Sequence, residues 1–470
     1  MGDLMFETFN KDKKKETLYV SLYKHIKKMI IEDKYKEGEK LPSKRKLAEN
    51  LKISPLTVEA AYQQLIAEGY VYAIEKKGYY IDQKVELVKP LSSRKTTFVI
   101  EDQPIEQVFK YAFKTNVVDT SLFPNTTWAK LSREVLSENR HEMLNVTHPQ
   151  GVLMLRKEIA KYLELYRGMK VDESQIVIGS GSSSLIGLLI ELLGRDKHYA
   201  IENPCYTKNY HLYQGNNVKL SLIGLDESGI TIDELDQSNA QIVHITPSHQ
   251  FPMGIVMPIQ RRVELLNWSN RLAGRYIIED DYDSEFRYQG KPIPALQGFY
   301  ENDHVIYMNT FTKTLAPSFR MNYMVIPLKL LPRYHKMMSY HGCTVPNFEQ
   351  FVMYKFMQGG FFERHINRMR NHYRGKLELI LKLTEKYPLI KLKGYDTGLH
   401  FLMEIDSNQD EEALVLKAFN QQIYVSGLNT YDHSRATKNH KPTLVLGYSG
   451  LKNDEIEDAF YELILALELK

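Results

Sequence analysis

Reactive and charged side chains follow a short apolar run in the second half of the chain. The segment MNTFTKTLAPSFR places Lys313 shortly after the hydroxyl residues Thr310 and Thr312, and Arg320 follows seven residues later. A lysine amine becomes nucleophilic near neutral pH once burial or a nearby cation lowers its pKa. The segment therefore predicts a reactive lysine near an anion-binding arginine, although a lone lysine after a strand is more often simply solvated.

Three other segments carry groups of the same kind. IIEDDYDSEF puts Asp280 and Tyr282 shortly after an apolar pair, and ENPCY supplies Tyr206. GSGSSSL places Ser182 and Ser183 at the start of a predicted helix, where free N–H groups and the helix dipole favour an anion. Taken alone, EDDYD also fits a divalent-metal site or a solvated acidic turn, and the tyrosine of ENPCY also fits a core position.

Taken together, these groups match the needs of one compound, pyridoxal 5′-phosphate (PLP). PLP has a phosphate, a ring nitrogen that can hold a proton, a phenolic oxygen and an aldehyde that reacts with a lysine amine. We therefore expect PLP as the cofactor and no metal site.

These residues need a sheet that brings them to one edge. From about residue 113, apolar strands in QIVIGS, HYAIENP, QIVHITP, RYIIEDDYD and HVIYMNTF alternate with helical stretches such as SSSLIGLLIELLG. This alternation predicts a mainly parallel α/β sheet, in which ligands bind at the carboxyl ends of the strands. We expect a large domain over residues 113–369 and a small C-terminal subdomain of the same fold over residues 370–470.

The first 82 residues have a different pattern. Residues 17–34 carry apolar side chains at helical spacing, which predicts one helix. Ser43 is a candidate cap for a short second helix, and Ser54, followed by Pro55, is a candidate cap for a third. The strands YVYAI and YYI then flank the basic turn EKKG. Three helices and a two-stranded wing predict a winged helix-turn-helix (α+β) domain over residues 1–82.

The charge distribution sets this domain apart. Residues 1–82 hold 16 lysines and arginines against 13 acidic residues, so the whole formal net charge of +3 lies there. A basic head on a neutral body predicts a polyanion partner, although a solvated basic tail would give the same count. Residues 83–112 mix charges with prolines and show no clear period, which predicts a linker.

Composition excludes several classes of protein. The 470 residues are 43% hydrophobic and 25% charged, which is ordinary for a globular protein. No uninterrupted apolar run approaches 18 residues, so we expect no membrane span. Two cysteines cannot form a disulfide scaffold, and the first residues lack the order of a signal peptide. We therefore expect a cytoplasmic protein.

The head resembles a known family. LPSKRKLAENLKISPLTVEAAYQQLIAEGYVYAIEKKGYYI is similar to the DNA-binding domain of GntR-type transcriptional regulators, and the similarity covers residues 17–82. The resemblance implies binding to double-stranded operator DNA, with contacts from Lys44, Arg45, Thr57 and Lys77. The sequence departs from the family pattern at Pro55 and Leu56, which leaves base recognition there open. A winged helix used only to dock another protein is the alternative.

The body resembles one subfamily of these regulators. PQGVLMLRKEIAKYL, TPSHQFPMG, IIEDDYDSEFRY and NTFTKTLAPSFRMNYM are similar to the MocR subfamily, in which a winged helix is fused to a fold-type I aminotransferase-like domain. The resemblance implies that Lys313 forms the internal aldimine with PLP, and that Asp280 pairs with the pyridine nitrogen. It further implies a hydrogen bond from Tyr282 to the phenolic oxygen and stacking of Tyr206 on the ring. The remaining cofactor-binding positions are Ser182, Ser183, Thr310, Thr312 and Arg320, mostly around the phosphate.

Two departures from the aminotransferase pattern bear on function. Phe251, in QFPMG, stands where these enzymes usually have an asparagine beside the ring. The strand TLVLGYSG lacks the arginine that usually binds the substrate carboxylate, and Arg435 is the nearest candidate for an effector carboxylate.

We therefore expect a PLP-dependent regulator that senses an amino compound or PLP itself, with at most weak or half-reaction transamination. The alternatives are an active aminotransferase with a DNA-binding head and a DNA-binding dimer whose body binds no cofactor. The resemblance also implies a homodimer.

Overall fold

A computed structural model of the chain describes residues 17–82, 108–138, 140–288, 290, 293–299, 303–338, 341–434 and 441–469. The chain divides into two units, Met1–Ile105 and Glu106–Lys470. None of the helices in these ranges is long and apolar enough to cross a membrane.

The first unit contains three helices and a hairpin, as the sequence predicts. The elements are α1 (Leu18–Ile31), α2 (Lys44–Leu51), α3 (Pro55–Ala67), β1 (Val71–Ile74) and β2 (Gly78–Ile81). The strands β1 and β2 are antiparallel. The helices bury their apolar faces in one core, which includes Leu22, Ile26, Leu47, Val58 and Leu65.

Capping side chains set the starts of the second and third helices. Ser43 Oγ accepts a hydrogen bond from Lys46 N at the start of α2. Ser54 Oγ accepts one from Leu56 N at the start of α3, where Pro55 occupies the first helical position. Each cap satisfies a backbone N–H that has no partner within the helix.

The second unit is built around an eight-stranded sheet. Its helices are α4 (Asn125–Glu138), α5 (Arg140–Leu144), α6 (Leu153–Arg167), α7 (Ser182–Leu193), α8 (Thr207–Gly215), α9 (Ile232–Gln237), α10 (Ile259–Asn270), α11 (Leu331–Met338) and α12 (Asn347–Gln358). Its strands are β4 (Ile176–Gly179), β5 (His198–Asn203), β6 (Lys219–Asp226), β7 (Gly229–Ile230), β8 (Ile242–Ile245), β9 (Tyr276–Asp281), β10 (Val305–Thr310) and β11 (Asn322–Val325). A short strand, β3 (Tyr111–Ala112), precedes all of them.

The strand order explains how distant segments meet. The order is β4-β11-β10-β9-β8-β5-β6-β7. The strands β10, β9, β8, β5 and β6 are parallel to their neighbours in that run, whereas β11 and β7 are antiparallel to theirs. The carboxyl ends of β9 and β10 therefore lie side by side, as the sequence predicts for a mainly parallel sheet.

The C-terminal part forms a smaller layer. It contains α13 (Phe361–Thr384), β12 (Ile390–Lys393), β13 (His400–Ile405), α14 (Glu411–Asn420), β14 (Ile423–Tyr424), β15 (Ser426–Gly427), β16 (Thr443–Gly447) and α15 (Ile456–Ala466). The segment after residue 108 joins this layer, because β3 pairs with β14 and Phe113 and Val118 pack in the same core as Phe401. The first described residues of the second unit therefore pack against its C-terminal elements.

Glycines allow a tight joint between the loop after β8 and the C-terminal layer. A Cβ on Gly254 would lie 2.4 Å from Gly394 Cα. Gly398 has φ +75°, and a Cβ there would lie 2.1 Å from His249 Cε1 and 2.5 Å from Asp283 Oδ2. Side chains cannot fit at such approaches, so these glycines let the two layers pack directly against each other.

Candidate functional site

A cavity of about 260 Å³ lies at the carboxyl ends of the sheet strands. Its lining includes eight of the nine side chains that the sequence analysis assigned to the cofactor: Ser182, Tyr206, Asp280, Tyr282, Thr310, Thr312, Lys313 and Arg320. Ser183, the ninth, lies half-buried in the first turn of α7. Residues that are distant in sequence thus come together where an α/β sheet binds its ligands.

Lys313 lies in the turn that follows β10 and faces the cavity. Its Nζ donates a hydrogen bond to the carbonyl oxygen of Thr115 at 2.7 Å. Burial lowers the pKa of Lys313 to about 8, while the charge of Asp283 opposes that shift. A substantial fraction of the amine is therefore neutral, and nucleophilic, close to physiological pH.

The start of α7 forms an anion-binding corner with Arg320. Gly181 is the N-cap of this helix with φ +89°, and a Cβ there would lie 2.3 Å from Arg320 Nη2. The missing side chain leaves room for the guanidinium beside the N-terminus of α7. An arginine, a helix N-terminus and the hydroxyl of Ser182 together suit a phosphate.

Asp280 forms another part of the cavity wall, and a buried histidine stands behind it. The Nε2 atom of His244 lies 3.4 Å from Asp280 Oδ2, while its Nδ1 atom lies 3.0 Å from Tyr213 OH. A carboxylate in this position can stabilise a protonated ring nitrogen.

The neighbouring carboxylate belongs to a different network. Asp281 Oδ2 lies 2.5 Å from Arg167 Nη2 and accepts a hydrogen bond from Tyr307 OH at 2.7 Å. Asp280 faces the cavity, whereas Asp281 is buried with Arg167, because successive strand residues point to opposite faces. The carboxylates of Asp280 and Asp281 therefore do not converge on one point.

Three aromatic side chains line the same cavity. The rings of Tyr206 and Phe251 meet edge to face with centroids 5.5 Å apart. Burial raises the pKa of Tyr282 well above its usual value. Its hydroxyl donates to His249 O at 2.9 Å and lies 3.1 Å from His249 Nδ1. His249 therefore already engages the hydroxyl that the resemblance assigns to the phenolic oxygen of PLP.

Several lining residues were not predicted from the sequence: Thr115, Asn116, Lys208, Asn209, Thr246, Pro317 and Asn322. Lys208 adds a cation in the first turn of α8, where one exposed lysine among many gives no sequence signal. Arg435, the sequence candidate for an effector carboxylate, lies outside the described residues.

The predicted DNA-binding residues of the head differ in their surroundings. Arg45 and Lys77 are exposed, whereas Thr57 is half-buried. Lys44 Nζ forms an ion pair with Glu59 of α3, so its charge is already partly balanced within the head.

Comparison with known protein families assigns both units. Residues 18–81 match the family described as bacterial regulatory proteins of the gntR family. Residues 112–444, well over half of the chain, match the family described as aminotransferase class I and II.

Full-length relatives share this arrangement. The chain is 34% identical to an uncharacterized HTH-type transcriptional regulator, YdeL, of Bacillus subtilis, over 96% of this chain and 97% of the relative. It is 26% identical to the probable rhizopine catabolism regulatory protein MocR of Rhizobium meliloti, over 96% and 94%. It is 27% identical to the pyridoxine biosynthesis transcriptional regulator PdxR of Corynebacterium glutamicum, over 95% of each chain.

Solved structures support the fold of the second unit. The kynurenine aminotransferase of Pyrococcus horikoshii superposes with a TM-score of 0.69 at 22% identity, covering 78% of this chain and 92% of the enzyme. The relatives and both family matches agree with the sequence-based resemblance. The chain therefore belongs to the MocR subfamily of GntR-type transcriptional regulators, in which a winged helix-turn-helix precedes an aminotransferase-like domain.

Proposed function

We propose that this regulator carries PLP on Lys313 and senses an amino compound, or PLP itself, to change its binding to operator DNA. One observation supports the proposal above all others: a buried lysine of lowered pKa shares a cavity with the anion-binding corner at Arg320 and with the Asp280 carboxylate. No single one of these groups is specific for PLP, but their combination matches its aldehyde, phosphate and ring nitrogen.

The residues present fit the cofactor. Ser182, Ser183, Thr310, Thr312 and Arg320 would hold the phosphate end, since Gly181 leaves room there for the guanidinium. Asp280, with His244 behind it, would keep the ring nitrogen protonated. Tyr206 would lie against the ring, and the Tyr282 hydroxyl would turn from the carbonyl oxygen of His249 to donate to the phenolic oxygen. When bound, PLP supplies an aldehyde that condenses reversibly with a primary amine.

A sensor fits the rest of the cavity better than an efficient aminotransferase does. Transamination needs a substrate held in one orientation, usually through its carboxylate. Phe251 contributes an apolar wall beside Tyr206, and Lys208 is the third cation among the lining residues, besides Lys313 and Arg320. We infer that an effector amine competes with Lys313 for the cofactor, while turnover stays weak. An active aminotransferase with a DNA-binding head remains the second candidate.

The head would bind double-stranded operator DNA, and we infer that the protein acts in the cytoplasm. Exposed Arg45 at the start of α2 and Lys77 in the wing would contact phosphates, together with Lys44 of α2 and with Thr57 of the recognition helix α3. We also infer a homodimer, because two heads suit paired half-sites in DNA.

Spectroscopy of the full chain tests the cofactor assignment. We expect the protein incubated with PLP to absorb visible light, and borohydride reduction to fix the cofactor on the peptide that contains Lys313. Lys313→Ala should lose both signals. Lys329→Ala is the control, because partial desolvation also lowers the pKa of Lys329, although this lysine is exposed and lies outside the cavity lining. A reduced label on another lysine, or a band that Lys313→Ala retains, would disprove the assignment.

A further inference from the structure

We propose that the exposed face of α3 reads A·T base pairs through the 5-methyl groups of thymine, with Leu56 as the main contact. The inference rests on the DNA-binding function proposed above and deepens it by naming the base chemistry that the head recognises.

Leu56 is exposed where a leucine in a small domain would normally be buried. Its exposed fraction is 75%, against 45% for Ile31, the next most exposed of the large hydrophobic residues in the described part of the head. Exposing a leucine side chain to water is unfavourable in free energy, and burying it against an apolar group is favourable. Contact with an apolar group of a partner would therefore be favourable for this side chain.

The leucine belongs to a continuous exposed stripe on α3. Leu56, Ala60 and Gln63 follow each other at intervals of four and three residues, so they share one face of the helix, and all three are exposed. The opposite face is buried in the core of the head through Val58, Ala61, Tyr62 and Leu65. The stripe is therefore the part of α3 that can enter a major groove.

The chemistry of the stripe favours A·T pairs. Guanine is usually read by arginine or lysine, and the stripe has neither. Apolar side chains contact the thymine methyl group, and glutamine pairs with the edge of adenine. The nearby acidic residue, Glu59, is bound by Lys44 of α2, which limits its repulsion of the DNA backbone.

The backbone at Leu56 is fixed before DNA arrives. Ser54 Oγ accepts the hydrogen bond from Leu56 N at 3.2 Å, and Pro55 restricts the first helical residue. Leu56 thus lies in the first turn of the recognition helix, the part that reaches base edges in helix-turn-helix proteins.

The test uses the full chain and DNA chosen by the protein itself. Sites are first enriched from a random pool of double-stranded DNA. Each thymine of the enriched site is then replaced by deoxyuridine, which removes only the methyl group, and affinity is measured by fluorescence anisotropy. We expect at least one replacement in each half-site to weaken binding about threefold to fivefold, the effect of burying one methyl group.

Variants connect that methyl group to Leu56. Leu56→Ala should bind the enriched site more weakly than wild type and should be indifferent to the deoxyuridine replacement that weakens wild type. Ile31→Ala, which shortens an exposed apolar side chain on α1, should keep the wild-type response. Thermal unfolding of both variants checks that the head stays folded.

The possible failures are distinct. Wild type that is insensitive to every deoxyuridine, or Leu56→Ala that stays as sensitive as wild type, would overturn the inference and leave DNA binding intact. Failure to enrich any sequence would instead contradict specific DNA binding, and the inference with it.

Discussion

Adjacent carboxylates on β9 have different roles because a strand alternates the direction of its side chains. Asp280 lines the cavity, while Asp281 is buried against Arg167 and Tyr307. The sequence predicted the cavity residue by its resemblance to a family. It gave no sign of the pairing with Arg167, which lies more than a hundred residues away and depends on how α6 packs.

This contrast gives a paired prediction. Asp281→Asn should destabilise the second unit by about 3–5 kcal/mol, because it leaves the buried Arg167 charge uncompensated. Asp280→Asn should change the unfolding free energy by less than about 1 kcal/mol, yet weaken PLP binding at least about tenfold, since one pKa unit of lost ring-nitrogen stabilisation is about 1.4 kcal/mol. Urea unfolding without PLP and PLP titration measure the two effects. Equal stability losses in both variants would contradict the assignment of the two faces.

The lowered pKa of Lys313 predicts a pH-dependent stability. The folded pKa is about 8 and the unfolded value is 10.5, so between these values the unfolded chain binds more protons and stability rises with pH. Lys313→Met should therefore stabilise the PLP-free protein at pH 7, by up to about 3 kcal/mol. The advantage should shrink as pH rises above 8. Urea unfolding at pH 7 and pH 9.5 checks this, and a pH-independent difference would contradict it.

At the scale of elements, local patterns predicted what local forces determine. Apolar spacing and caps such as Ser43 and Ser54 determine the helices of the head, so their predicted positions agree closely with the observed ones. The strands that end in the cavity were likewise recognisable as apolar runs followed by polar groups. The single helix α13 runs across residue 370, which the sequence analysis proposed as a domain boundary.

Packing between segments that are distant in the sequence could not be predicted from local patterns. Phe113 and Val118 pack with the C-terminal layer, and this packing brings Thr115 and Asn116 to the cavity near Lys313. Periodicity describes neighbours along one element and carries no information about contacts between distant segments. The cavity residues contributed by such segments were therefore missed.

The joint at Gly398 can be tested directly. Gly398→Ala should destabilise the second unit by about 2–4 kcal/mol, because its Cβ would overlap His249 and Asp283 at a positive φ. Gly375→Ala is the matched control: it lies exposed within α13 with no atom near its Cβ, and should stabilise by about 0.5–1 kcal/mol. Urea midpoints compare the two variants. A neutral effect of Gly398→Ala would show that the joint is not tightly packed.

At the scale of the whole molecule, exposed apolar residues near α5 are candidates for the contact in the proposed homodimer. Leu144 is 81% exposed and Val146 is 94% exposed, an arrangement that association with a second copy would cover. We expect Leu144→Asp with Val146→Asp to yield monomers by light scattering at micromolar concentration, where wild type is dimeric. Lys382→Asp, at an exposed polar position on α13, is the control and should stay dimeric. A wild-type monomer would contradict the homodimer.

The central claim is that an amine acting at Lys313 changes DNA binding by the same chain. The most direct measurement is the affinity of PLP-loaded full-length protein for its enriched DNA site, by fluorescence anisotropy, across a panel of amino compounds. Each primary amine is paired with its N,N-dimethyl analogue, which cannot condense with an aldehyde. We predict that at least one primary amine changes DNA affinity fivefold or more, with no change from its analogue and none in Lys313→Ala. Primary amines that shift the cofactor absorbance while DNA affinity stays constant across the whole panel would contradict the account.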